Sequence, residues 1–490
     1  MSALCADVRA QGAPLLLRDS DIFTRMRNVR RLGVGLFFLC VVSALHGCGG
    51  GGGGGGESEA DKVINSLGSV IGSIRGVELD TDSIAADVRA GRTVELPFAK
   101  VNNDLITQEV QLTLRNLRNP ELVAAYVKDG VANDFEALTL PPPATYQGVV
   151  EPDRGGVAVF TINDEVVEGN ILVAPDGWSV IEPLEPLLLQ HDFNESQRNA
   201  ALAKYNHVVY NVMNAKGHIV VDDDVLSLQA ASAGRSAGLG GSLVLSVVAD
   251  GDQELYGAYP PDGVMPFWLK QEALFNVVDW LFNCVEPDAN DDNSYARCDN
   301  AFDGGSDGFQ ATVRIDRLEV WKAGGPAGPA RDDLLEQSIV ATHEASPPCC
   351  GPPHTAGRSA LVNFFSGKSV VGGAGLAAGI GGLDIYDDAT CHLRAADSLC
   401  HHCIAQLVAG NEFPGTVFLQ ELLLAHEIGH VVGAHEQINP LFACWLFGEQ
   451  CGPNLMGSIA FGGNSKYLFT DDDATGRIGP LLEERLGETP

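Results

Sequence analysis

Residues 426–436 read HEIGHVVGAHE, and the spacing of three side chains in this stretch could assemble a metal site with its own base. On a helix, His426 and His430 stand four residues apart, so both imidazoles leave one face about a turn apart and can share one ion. Glu427 sits beside them, where its carboxylate can hold and deprotonate a water. Gly433 ends the helix and lets the chain turn back with a third ligand, for which His435 and Glu436 are the candidates. Zinc accepts either an imidazole nitrogen or a carboxylate oxygen. The chemistry implied is hydrolysis of an amide by an activated water. An amphipathic helix with two chance histidines is the competing reading. It is weakened by the scarcity of histidine, 12 in 490 residues, and by the Gly433 and His435 that follow.

The residues around this motif must supply a scaffold. FLQELLLAHEIGHVVG (418–433) has the length and apolar content of the helix that carries the two histidines. Upstream, SLVLSVVAD (242–250) and FQATVRIDRLEVWK (309–322) have strand character. MPFWLKQEALFNVVDWLFNCVE (265–286) and RDDLLEQSIVATHE (331–344) have helical character, and residues 359–382 have room for two strands. Downstream, PNLMGS (453–458) supplies Met456, one of five methionines. H-E-x-x-H-x-x-G followed by such a methionine resembles the metzincins, and the order of elements over 242–490 resembles an adamalysin-like (reprolysin or ADAM-type) catalytic domain.

The resemblance implies an α/β (α+β) domain with a mixed five-stranded sheet and a zinc-binding active-site helix. It further implies zinc endopeptidase activity on protein or peptide substrates, with Met456 as an apolar floor under the metal. The glycine-rich run Gly375–Gly379 would lie at the sheet edge, where an extended peptide adds as a strand. In that family the third ligand stands six residues after the second histidine, which here is Glu436; His435 is one residue early. GAHE looks like the family's G-A-x-H-D with its middle residue lost, which favours His435, and the small Gly433 and Ala434 permit the tighter turn.

Residues 60–225 alternate apolar and polar in short runs and predict a β-rich domain. Within it, 145–184 resembles the propeptide of reprolysin-type proteases in its tyrosine-then-glycine strand start, its second glycine strand and its I-E-P-L ending, with HVVY (207–210) following. The resemblance implies a prodomain over 60–225, a linker over 226–241 and a peptidase domain over 242–490. Such propeptides commonly hold the zinc with a cysteine, but none stands between Cys48 and Cys284, so a carboxylate from Asp222–Asp224 is the substitute on offer.

At the N-terminus, RMRNVRR (25–31) is basic, Leu32 to Leu45 is an apolar run too short to span a bilayer, and LHGC (45–48) follows. This resembles a bacterial lipoprotein signal over 1–47, with Met26 as an alternative start. It implies export, lipidation at Cys48, a glycine tether within 48–59 and anchoring to the cell envelope, at the outer membrane or cell surface. Nine cysteines from Cys284 to Cys451 then suit disulfides, with Cys284–Cys298 and Cys444–Cys451 as local pairs, Cys349, Cys350, Cys391, Cys400 and Cys403 unassigned, and the odd number leaving at least one free or bonded elsewhere. CHLRAADSLCHHC (391–403) is an alternative structural zinc site.

The net charge is −33, and residues 1–47 hold six Arg and three Asp, so their removal moves it to −36. So acidic a chain argues against nucleic acid and anionic membrane as partners, and solvated acidic faces account for the charge. Asp288, Asn290, Asp292 and Asp299 follow the spacing of a calcium loop, although Asn293 stands where such loops carry glycine; a solvated acidic insertion is the alternative. GGSDG (304–308) and GRSAG (234–238) lack the strand and helix a serine nucleophile needs. GKS (367–369) has Val362 in place of the first P-loop glycine, and GAGLAA (373–378) is a degenerate dinucleotide fingerprint that suits an edge turn better. The alternative function, from another class, is a lipid-anchored surface binding protein that keeps the fold without turnover.

Overall fold

The structure, a computed structural model, describes residues 57–127, 135–150, 156–173, 176–215, 218–219, 243–282, 311–326, 337, 361–368, 375–377, 402–406, 416–432 and 459–460. Helix α1 (Glu59–Ile71) is capped by Ser58, whose hydroxyl accepts from Asp61 N–H, and strand β1 (Gly72–Val77) follows. Helix α2 (Thr81–Arg89) leads to β2 (Val94–Ala99), β3 (Leu105–Leu114), β4 (Arg118–Val127) and β5 (Phe135–Ala137). The segment read as a glycine-marked strand series forms β6 (Thr145–Val150), β7 (Gly156–Ile162), β8 (Val167–Val173) and β9 (Gly177–Pro183). Helices α3 (Leu184–Gln190) and α4 (Glu195–Leu202) precede β10 (His207–Ala215) and β11 (His218–Ile219). The C-terminal half contributes β12 (Leu243–Gly251), α5 (Gln253–Ala258), α6 (Phe267–Phe282), β13 (Ala311–Trp321), β14 (Leu361–Ser366), β15 (Gly375–Ala377), β16 (His402–Gln406), α7 (Val417–Val431) and β17 (Ile459–Ala460).

The first sheet is antiparallel throughout, in the order β1-β10-β9-β8-β7-β6-β3-β2. It curls until the end of β2 meets β9 and β10: Ala99 N–H donates to Ser179 Oγ at 2.9 Å, and Asn211 Nδ2 donates to Ala99 O at 2.9 Å. Phe98, Phe160, Ile171, Ile181 and Val209 fill the concave side. The curl explains two glycines of the motif. A Cβ on Gly148 would stand 1.9 Å from Gln111 O, and one on Gly169 would stand 2.1 Å from Val159 O, so only glycine admits the neighbouring backbone so closely.

The second sheet is mixed, in the order β15-β16-β14-β12-β13-β4-β5. Five of its strands come from the C-terminal half, with β12, β13, β14 and β16 parallel and β15 antiparallel at the edge. The five-stranded sheet expected from the sequence is thus extended to seven. The remaining edge of β13 takes β4 in parallel, Leu318 opposite Ala124 and Val320 opposite Tyr126, and β5 closes the row. A parallel neighbour satisfies the N–H and C=O groups that this edge would otherwise leave open.

Helices α6 and α7 lie between the sheets, and every side chain of both is buried. Trp178 of the first sheet packs edge-on against Trp280 of α6 at 4.9 Å and against Phe418 of α7 at 5.4 Å; Phe275 of α6 meets Phe365 of the second sheet at 5.8 Å. One apolar core therefore runs from Val63 of α1 through both helices to Leu318 of β13. The short pair β11–β17 joins His218–Ile219 to Ile459–Ala460. Among the described residues no helix is long and apolar enough to cross a membrane.

Candidate metal centre

Helix α7 is built from leucines and alanine around three polar turns, and its sequence supplies little to start it. Thr416 occupies the N-cap with extended backbone but makes no side-chain cap bond. The orphan donor is met from outside: Glu182 of β9 accepts from Val417 N–H at 3.0 Å through a carboxyl oxygen at the start of the helix. One turn on, Asn170 of β8 donates to Glu421 Oε2 at 2.7 Å. Lys270 of α6 completes the cluster with Glu168 of β8 at 3.0 Å, both side chains almost wholly buried. Gln420 reaches Tyr259, its Nε2 donating to the phenol oxygen at 3.4 Å.

Burial sets the protonation of this cluster. It pushes the carboxyl groups of Glu182 and Glu421 up to about 8, against the bonds from Val417 and Asn170 that favour the charged forms. For Lys270 burial is the largest influence and works downward, but Glu168, Tyr259 and Glu421 together outweigh the loss of water and its pKa is raised. The cluster therefore holds Glu182 and Glu421 largely neutral near pH 7. Their contribution to stability is fully present below their unfolded values of about 4.5 and is lost as pH rises through about 8.

At the other end of α7, His426 and His430 are buried with their rings perpendicular, centroids 4.7 Å apart. Their Nε2 atoms face each other at 3.1 Å. Two imidazoles bound to one tetrahedral zinc at about 2.05 Å stand about 3.3 Å apart at their nitrogens, so the pair fits a shared ion with little adjustment. Without an ion, the same contact requires one ring to donate to the other. Glu427 follows His426 in the same helix and is buried as well. The structure thus brings together His426, Glu427 and His430. The remaining expected site residues, His435, Glu436, Met456, Cys48, Asp288, Asn290, Asp292 and Asp299, lie outside the described residues, as do Asp222–Asp224 and the cysteine pairs. Among the described residues no cluster of three or more His, Cys, Asp or Glu forms a ready metal cage.

Sequence reasoning missed Glu168, Asn170, Glu182, Lys270 and Glu421. A trace of them is visible in hindsight. Lys270 interrupts MPFWLKQEALF and Glu421 interrupts FLQELLLAHE, each a charge in a run otherwise fit for a core. No protein-family model matches the sequence, and no curated protein matches it.

Proposed function

We propose that this chain is a zinc-dependent endopeptidase of the metzincin type, exported and anchored through a lipid on Cys48. His426 and His430 hold the metal, and His435 or Glu436 completes the set. The observation that carries the reading is the 3.1 Å approach of two imidazole nitrogens on one helix, with the buried Glu427 following His426 in sequence. Zinc, when bound, supplies a Lewis acid that polarises a carbonyl and makes water acidic. Glu427 is the general base: its carboxylate orients the attacking water, takes its proton and returns it to the departing amine nitrogen. Its burial strengthens that exchange, since water competes less for the carboxylate. The edge strand β15 is the surface along which an extended peptide would lie, adding as a further strand.

The test combines metal analysis of the purified protein with digestion of casein or gelatin. The wild type should carry about one zinc per chain and cut. Glu427→Gln should keep the zinc and lose activity by roughly two to four orders of magnitude, as expected for a missing general base. Near-normal cutting by that variant overturns the mechanism; a zinc-bearing wild type that never cuts favours the binding protein.

A further inference from the structure

The two halves of the chain, separated in sequence by the small-residue run LQAASAGRSAGLGGS (228–242), converge on α7. We propose that the eight-stranded sheet is a permanent partner of the histidine-bearing helix, with Glu182 and Asn170 as positioning residues that act through its first two turns. The helix has no side-chain cap of its own, and Glu182 provides one from another sheet. Asn170 adds a second fixed point on Glu421. Two points on a stiff helix define both its rotation and its position along the axis. His426 lies nine residues beyond Val417, about 13 Å along that rigid rod, so an error at the first turn is carried to the imidazoles.

Departure of the sheet would uncover far more than a docking surface. Helix α7 is buried on all sides, so Phe418 and its neighbours would lose the cover of Trp178. Strand β4 would leave the edge of β13, and Lys270 would lose Glu168. A leader made to be shed is joined by a surface that both parts can expose to water. This junction instead places buried charges and a continuous apolar core across the seam.

The positioning role rests on the zinc reading; the permanence of the sheet does not. For permanence, a site for a specific protease is inserted within 228–242 of the full chain and cut, and the product is run on gel filtration in native buffer. The fragments should co-elute and separate only in denaturant; separation in native buffer overturns the proposal. For positioning, cobalt(II) is titrated into the metal-free full chain while its visible absorption is followed. E182A and N170A should each weaken binding about tenfold and alter the band, with far-UV circular dichroism unchanged, and E182Q, which keeps the acceptor for Val417, should recover both. N170A leaves the cap intact and carries the test if E182A fails to fold. Wild-type affinity and spectrum in both E182A and N170A overturn the positioning role. A wild type that binds no cobalt removes that role together with the zinc reading, while co-elution still decides permanence.

Discussion

Lys270→Met isolates the electrostatics of the buried cluster. Lys270 Nζ and Glu168 Oε1 are 3.0 Å apart with side chains 1% and 3% exposed. At an effective dielectric of about 20, unit charges at that distance attract by about 5–6 kcal/mol. Methionine matches the stem but leaves Glu168 facing Glu182 and Glu421 with no cation among them. Breaking a buried pair on one side costs about 3–5 kcal/mol, chiefly because the remaining charge stays out of water. The 434 residues from Glu57 to Pro490 form one unit. At roughly 2 cal/mol/K per residue their melting entropy is about 0.9 kcal/mol/K, so the midpoint should fall by about 3–6 °C. Melting is followed by calorimetry with EDTA present, which removes any stabilisation by bound metal. The deficit should be larger at pH 9 than at pH 6, because Glu182 and Glu421, pushed up to about 8, become charged above that pH with Lys270 no longer there to offset them. Lys270→Met with Glu168→Gln should return to within about 1 kcal/mol of the wild type, since an uncharged pair leaves no buried ion. A single variant that melts within 1 °C of the wild type at pH 9 would refute the reasoning, as would a double variant no better than the single.

Gly148→Ala should destabilise by about 3 kcal/mol, the upper end of overpacking, because its Cβ meets Gln111 O at 1.9 Å, while Gly257→Ala, with open space around it, should be neutral or slightly stabilising; comparable urea midpoints for the two would contradict the account of the curl. Burial pushes His207 down to about 4, and its Nε2 accepts from Val167 N–H at 3.3 Å, so the folded state refuses a proton that the unfolded chain takes up near pH 6.5. His207 therefore contributes stability above pH 6.5 that is lost as pH falls through about 4, roughly 3 kcal/mol in all, and His207→Gln should flatten that acid limb in a pH series of denaturant midpoints. An unchanged limb would place the acid loss elsewhere. Zinc titration of metal-free His435→Ala and Glu436→Ala decides the third ligand: His435→Ala should lose at least tenfold in affinity and Glu436→Ala less, the reverse order exchanges the two, and wild-type binding by both rejects a three-ligand site.

Periodicity and punctuation located the elements nearest the histidine motif and the β-rich character of 60–225. Helices α6 and α7 and strands β12, β13 and β14 lie where their local pattern predicts, and strands dominate 60–225 as its alternation predicts, because a run's period and its flanking turn residues act over a few positions. The H-E-x-x-H spacing also put His426 and His430 on one face before any fold was considered, since helix geometry alone brings i and i+4 together. Pairing across the chain was not legible. Strand β4 joins β13 nearly two hundred residues away, and ELVAAYV carries no mark of which sheet it will enter, because an apolar face specifies that it must be covered and not by what. Nor did the buried charges declare their partners. Lys270 and Glu421 are conspicuous in their apolar runs, yet Glu168, Glu182 and Asn170 sit in ordinary strands and acquire their roles only when the curled sheet closes on α6 and α7. The sequence determines the face on which two histidines meet; the tertiary packing decides what holds that face still, since the missing cap of α7 is supplied by a residue that only the folded chain brings near.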